Sequence, residues 1–277
     1  MSLAPEQIAQ RRHTLGASEI AAVCGLDPFR GVWDVWADKM GFDIRNPFAE
    51  ADMGHLFERP LLEHYSRTTG VELKYPDTMI HPLHKWVSAT PDGLASDRAV
   101  QVKVVGANMA HKWDAGVPEY VVCQVQWEMM VTGLPLAVVV ACVGGTDYRA
   151  LDVVADSEIQ ETLLDLGRTF WEGHVLTGAP PDPDSSEACR KALSARHRKV
   201  SADMIPASRE LVEMACEYKA LSKQIKALET EQDAIGNALR LAIGERSGFV
   251  FEGGRCTWQQ DKNGARALRV HLQGDRR

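Results

Sequence analysis

Apolar residues recur along this chain with two different periods, and the period decides the element. Residues 99–105 (A-V-Q-V-K-V-V) alternate, which predicts a strand with Gln101 and Lys103 on one face and Val100, Val102 and Val104 on the other. Just before it, Val87–Thr90 is small and β-prone, and Pro91-Asp92-Gly93 is turn chemistry. Together they predict a tight hairpin between Trp86 and Lys103. Residues 136–143 (L-A-V-V-V-A-C-V) form an unbroken apolar run, expected as a central strand covered on both faces. After Gly144-Gly145, Tyr148–Val154 alternates as a further strand. Shorter strands are expected around Val71–Tyr75, Met79–His81 and His84–Thr90.

Helical spacing accounts for most of the remainder. Residues 5–24 begin helical, with a small-residue helix at Ala17–Val23. Residues 31–41 form an amphipathic helix closed by Gly41, with Trp33 and Trp36 on a core-facing side. The next helix, 54–69, ends at Gly70. Pro60 fits a first turn, so a start near Leu56 or Phe57 is expected, with Glu58 in that turn. Gly106–Val117 reads as a loop carrying His111, Lys112 and Trp113. A helix follows over Val121–Thr132, with Gln124 and Glu128 four apart on one side and Val121, Val125 and Met129 on another. Residues 157–175 are amphipathic.

The Pro/Asp/Ser stretch at 179–188 divides the chain. A core at 1–178, a linker at 179–200 and an extension at 201–277 are expected. Within the extension, residues 207–243 keep a heptad seam, Leu211, Met214, Tyr218, Leu221, Ile225, Leu228, Gln232, Ile235 and Leu239, as in a coiled coil. Its partner could be the same chain, another subunit or a different protein. The tail, Gly248–Leu272, resembles a small hairpin. The class is α+β, a mixed sheet flanked by helices, with a long-helix extension.

At 277 residues the chain can hold one large domain, or a domain with an appendage. A hydrophobic fraction of 45% is ordinary for a soluble protein. No apolar run approaches the length of a membrane span, and the N-terminus lacks a signal-peptide pattern. The 6 cysteines show no C-x-x-C spacing, which fits reduced thiols of a cytoplasmic protein. A net charge of −7 argues against a protein that coats nucleic acid broadly, while a local basic lining could still hold DNA.

The alternation at 99–105 and the turn at 91–93 aim Asp92, Gln101 and Lys103 at one volume. An acid, a polar oxygen ligand and a lysine on adjoining strands outline a magnesium site for phosphodiester cleavage. His81 and His84 lie near it in sequence but lack metal-ligand spacing, so surface histidines are expected.

Four blocks then carry a resemblance: G-A-S-E-I-A-A-V-C-G-L-D-P-F at 16–29, G-H-L-F-E-R-P-L-L at 54–62, A-T-P-D-G at 89–93 with Q-V-K at 101–103, and Q-V-Q-W-E-M-M-V-T-G at 124–133. In this order they resemble the YqaJ-like viral recombinase family, a branch of the PD-(D/E)xK nucleases related to the lambda phage alkaline exonuclease. The resemblance implies a Mg²⁺-dependent deoxyribonuclease, with Mn²⁺ as a substitute, that resects linear duplex from 5′ to 3′ and leaves 3′ single strands. It implies metal ligation by Asp92, Gln101, the Val102 carbonyl and Glu58, with Lys103 and Gln124 completing the catalytic set. Arg11, Ser18, Thr90 and Lys112 would contact the DNA or its 5′-phosphate.

It also implies a phage or prophage origin in a bacterial cytoplasm, double-stranded DNA ends as substrate, a homo-oligomer (a trimer by analogy) and a single-strand annealing protein as partner. The family has Glu where this chain has Gln101, which predicts strongly reduced metal binding and turnover. That exchange could be natural divergence or a change made to trap uncut DNA. A non-catalytic DNA-end-binding or assembly protein on the same fold is the alternative, and a restriction-type endonuclease a weaker one.

Overall fold

The computed structural model describes residues 12–42, 44, 49–199, 202–260 and 264–274, with only the backbone considered over 49–53. The chain forms two compact units, Met1–Val200 and Ser201–Arg277.

The first unit carries two sheets. In one, β1 (Leu15–Gly16), β2 (Met79–Ile80) and β3 (Val87–Ala89) take the order β1-β3-β2. In the other, β4 (Gly93–Leu94), β5 (Ala99–Val105), β6 (Leu136–Val143) and β7 (Asp147–Val154) lie in chain order. Its β5–β6 pair is parallel, and its outer pairs are antiparallel. The apolar run at 136–143 is therefore an interior strand, as its composition predicts.

The hairpin expected between Trp86 and Lys103 does not form. β3 pairs with β1 and β2, while β5 takes β4 as its antiparallel partner. The Ala95 N–H bonds the Arg98 carbonyl at 2.9 Å to close that tighter turn. Pro91-Asp92-Gly93 instead carries the chain from one sheet to the other. Pro91 has no N–H with which to extend β3. At Gly93 a side chain would press on the core: an added Cβ would lie 3.3 Å from Leu73 and 3.4 Å from Leu62. The strand expected at Val71–Tyr75 reduces to one bridge, Lys74 to Leu94.

Helix α1 (Ala17–Val23) follows Gly16, whose N–H donates to Glu19 Oε2 at 2.8 Å. The same oxygen accepts Lys39 Nζ at 2.5 Å from α2 (Val32–Met40), a buried ion pair that ties the two helices. Helix α2 ends at Gly41 with φ 78°, a left-handed cap, and buries Trp33 and Trp36 edge to face at 5.3 Å. Helix α3 runs over Ala49–Thr69, so the expected start near Leu56 is corrected: Pro60 lies inside the helix and Glu58 is not in a first turn. The proline removes one backbone bond to the Leu56 carbonyl, on an exposed turn where water can replace it.

The stretch expected as a loop at 106–117 holds a 3₁₀ turn, Ala107–Trp113, with Trp113 buried. Helix α4 (Glu119–Thr132) starts after Pro118 and is buried on several sides. Val121, Val125 and Met129 pack on one face of the four-stranded sheet. Cys123, Trp127 and Val131 pack toward α1, α2 and β3. Leu62 and Tyr65 of α3 cover the opposite face through Val100, Val102, Val138 and Val140.

Helix α5 (Ser157–Phe170) is capped by Asp156 and runs into a wider turn at Trp171–Val175. Residues expected as linker include α6 (Glu187–Arg196), whose Cys189 and Ala192 enter the core with Trp33 and Trp36.

The second unit consists of α7 (Arg209–Ile243), capped by Ser208, and an antiparallel sheet of β8 (Gly248–Phe251), β9 (Gly254–Gln260) and β10 (Arg266–Leu272). The expected hairpin in the tail is thus three-stranded, in the order β10-β9-β8. Among the described residues, no helix is long and apolar enough to cross a membrane.

Candidate active site

Strand β5 and helix α4 meet through side chains of odd-numbered strand positions. Ala99 and Val105 pack against α4, and strand alternation sends Gln101 and Lys103 to the same side. Between the two sheets, Asp92 leaves the 91–93 turn and returns to β5. Its Oδ2 accepts the Val102 N–H at 2.7 Å and the Gln101 Nε2 at 2.5 Å. Lys103 Nζ donates to Gln124 Oε1 at 2.7 Å, and Gln124 Nε2 donates to Glu128 Oε1 at 2.9 Å. Glu128 lies four positions after Gln124, about one helical turn, so the second bond follows from α4 alone.

The electrostatics are those of buried acids. Burial pushes the Asp92 carboxyl up to about 6. The Val102 N–H opposes that shift, Glu58 adds to it, and Lys103 and His55 oppose it further. Burial raises Glu128 to about 8, with the Asp92 charge adding to the shift. Glu128 is 0% exposed, and its Oε2 has no hydrogen-bond partner. Gln101 Oε1 is likewise buried and without one.

Glu58 reaches this cluster through its field on Asp92, and its own Oε1 bonds His55 Nδ1 at 2.8 Å. Asp92, Gln101, Val102, Lys103 and Gln124 are therefore brought together as expected, with Glu58 at the margin. Among the described residues, no three His, Cys, Asp or Glu side chains gather to hold a metal. The donors here are instead one carboxylate, an amide oxygen and a main-chain carbonyl, with Glu58 beside them. These are hard oxygen donors, and the free Gln101 Oε1 is a buried acceptor that a cation would satisfy. The set fits a divalent ion of the Mg²⁺ type, one charge short of a site built with Glu at 101.

The DNA contacts do not join this cluster. Arg11 lies outside the described residues. Ser18 is exposed in the first turn of α1, whose cap is Gly16. Thr90 is exposed and bonds Thr78 at 2.9 Å. Lys112 is exposed on the 3₁₀ turn and borders a recess of about 370 Å³ with Leu26, Pro118 and Tyr120, which Asp92, Gln101 and Lys103 do not line. His81 and His84 stack at 4.9 Å, with His81 held below the ordinary histidine value by burial.

Glu128 and His55 are the site residues that sequence reasoning missed. The Q-x-x-x-E spacing on α4 was the available signal for the first. For the second it was the three-residue spacing from Glu58. Gln126, on the same helix, is structural: it accepts from Asp156 N at 3.0 Å and donates to the Val154 carbonyl at 2.8 Å.

Residues 7–135 match the YqaJ-like viral recombinase domain. The chain is 24% identical over 247 residues to the uncharacterized protein YqaJ of Bacillus subtilis (strain 168), across 85% of this chain and 76% of that one. Its fold is similar to that of the alkaline exonuclease LHK-Exo from Laribacter hongkongensis in complex with dAMP: TM-score 0.55, 18% identity, 64% of this chain and 94% of the other. A putative exonuclease from Eubacterium rectale matches with TM-score 0.50 and 13% identity, over 74% of this chain and 97% of the other.

Proposed function

We infer that this chain, whose residues 7–135 match the YqaJ-like viral recombinase domain, is a metal-dependent deoxyribonuclease that resects linear duplex DNA from its ends. The observation that carries this is the pair of bonded groups that β5 and α4 bring together, Asp92 with Gln101 and Lys103 with Gln124 and Glu128, where the Lys103 charge acts on both acids. The fold likeness to an alkaline exonuclease seen with dAMP supports a nucleotide product.

Asp92, the Gln101 amide oxygen and the Val102 carbonyl would hold Mg²⁺, with Mn²⁺ as substitute, and Glu58 would complete the set. The ion supplies Lewis-acid polarisation of the phosphate and a more acidic water. Lys103 places a positive charge where negative charge develops on the scissile phosphate, and it orients the attacking water. Gln124 fixes the lysine head, because its carbonyl accepts the ammonium while Glu128 holds the amide nitrogen. Polarity from 5′ to 3′, a 3′ single-strand product, a homo-oligomeric state and transfer to an annealing protein belong to the same reading. Ser18, Thr90, Lys112 and Arg11 are its proposed DNA contacts, outside the catalytic cluster.

A second reading, a DNA-end-binding or assembly protein without turnover, is favoured by one observation. The Gln101 amide already satisfies Asp92, as a neutral clamp would.

Linear duplex labelled at either the 5′ or the 3′ end, and closed circular plasmid, separate the two. With Mg²⁺, the nuclease reading expects slow release of 5′ label from linear DNA, no cutting of circles, and loss of release in Lys103→Ala. End binding without Mg²⁺-dependent release would support the second reading. Cutting of circles would overturn the exonuclease assignment.

A further inference from the structure

Two side-chain oxygens of the candidate active site are sealed from water and unbonded: Gln101 Oε1 and Glu128 Oε2. Gln101 is 6% exposed and Glu128 0%. Glu128 spends only its other oxygen, Oε1, on accepting Gln124 Nε2 at 2.9 Å. A buried oxygen without a partner is costly, so each of the two calls for a proton or a cation.

The topology sets Glu128 at the level of Gln101. Strands β5 and β6 are parallel, so α4, which connects them, runs back antiparallel to β5. Gln124 stands opposite Lys103, whose Nζ donates to it at 2.7 Å. From Gln124 to Glu128 the helix rises about 6 Å. From Lys103 back to Gln101 the strand covers about 6.6 Å. The two steps are equal in length and point the same way. The Asp92 charge acts on Glu128, which agrees with that placement, because Asp92 is bonded to Gln101.

We propose that Glu128 is an acidic ligand of the divalent-metal site, supplying from α4 the carboxylate that β5 lacks at Gln101. The proposal rests on the nuclease reading above and names the group that restores its missing charge. Asp92 and Glu128 would bring two carboxylates to the ion, and Gln101 Oε1 and the Val102 carbonyl two neutral oxygens, with water at the remaining positions. In the metal-free chain the Glu128 carboxyl carries a proton at neutral pH, which it gives up to solvent when the ion binds. Glu128 Oε1 stays on Gln124, so the same side chain would serve the metal and the lysine holder at once.

The test is Mg²⁺ and Mn²⁺ titration calorimetry on the full chain, with the melting temperature recorded with and without each ion. Glu128→Gln keeps an oxygen for Gln124 and removes only the charge. It is expected to weaken binding of either ion by roughly a hundredfold and to abolish the metal-induced rise in melting temperature. Gln101→Glu/Glu128→Gln moves the carboxylate from helix to strand and is expected to recover the affinity of the unmodified chain. An anchor for the Gln124 amide and nothing more would give another pattern: Glu128→Gln would bind as tightly as the unmodified chain while Asp92→Asn did not. That result would overturn the proposal and leave the nuclease reading standing. So would a double variant no tighter than Glu128→Gln, or an unmodified chain that binds neither ion beside a Gln101→Glu variant that binds both. Absence of binding in every variant would overturn the nuclease reading as well.

Discussion

Gln101 Nε2 lies 2.5 Å from Asp92 Oδ2, on the same carboxylate oxygen that takes the Val102 N–H. The amide thus shares Oδ2 with the Val102 N–H, while its own carbonyl oxygen is buried without a partner. An acid at this position would repel Asp92 unless a cation lay between them. An amide needs none, so the pair holds the centre together without metal and lowers its negative charge. Restoring the charge should therefore both strengthen metal binding and weaken the metal-free fold.

A first consequence concerns pH. A carboxyl raised in the folded chain binds its proton more tightly there than in the unfolded chain, so its stabilisation is complete at low pH and is lost as pH rises. For Asp92 the window runs from 3.8 to about 6, and for Glu128 from 4.5 to about 8. At 1.36 kcal/mol per pH unit, the upper limits are about 3 and about 5 kcal/mol. The metal-free melting temperature should fall across that range. Thermal unfolding without divalent ions at several pH values checks this, and Mg²⁺ should recover stability most at the alkaline end.

Glu128→Gln isolates the larger part of that dependence. At neutral pH the Glu128 carboxyl carries its proton, so a neutral amide of the same size should change stability by less than about 1 kcal/mol. The loss between pH 6 and 8 should flatten. Glu128→Ala instead leaves a cavity and an unpaired Gln124 amide, and should cost roughly 2–4 kcal/mol. Urea unfolding of both variants at two pH values separates the cases.

Gln124→Ala should leave Lys103 without its acceptor. Substrate affinity should change little, while turnover falls by roughly ten- to a hundredfold, as positioned charge is lost. Single-turnover digestion set beside DNA binding measures that split.

Gly167 marks where α5 crosses the core. A Cβ there would lie 2.9 Å from the Trp127 ring, 3.2 Å from Leu15 and 3.3 Å from Ile20. These neighbours are buried and cannot retreat. Gly167→Val should destabilise by about 2 kcal/mol or more, visible as a lower melting temperature.

Much of this was legible in the sequence. The unbroken run at 136–143 could only be an interior strand, and the alternation at 99–105 correctly put Gln101 and Lys103 on one face. The pairing of strands was less legible. Pro91-Asp92-Gly93 announces a turn but not its partners, and β3 pairs with Leu15–Gly16, far back in the chain. Proline statistics failed at Pro60 because an exposed helical turn tolerates the lost bond. Glu128 was visible as a spacing, but nothing in the sequence says that its carboxyl is sealed from water. That depends on how α4 packs in the folded chain, which also brings the Asp92 and Lys103 charges to bear on it.

The most direct test is Gln101→Glu, followed by Mg²⁺ titration calorimetry and Mg²⁺-dependent digestion of linear duplex. One added charge in a partly buried centre is worth a few kcal/mol, which corresponds to roughly a hundredfold. The account predicts tighter Mg²⁺ binding and faster digestion by about that factor. Equal Mg²⁺ affinity and no gain in digestion would contradict it.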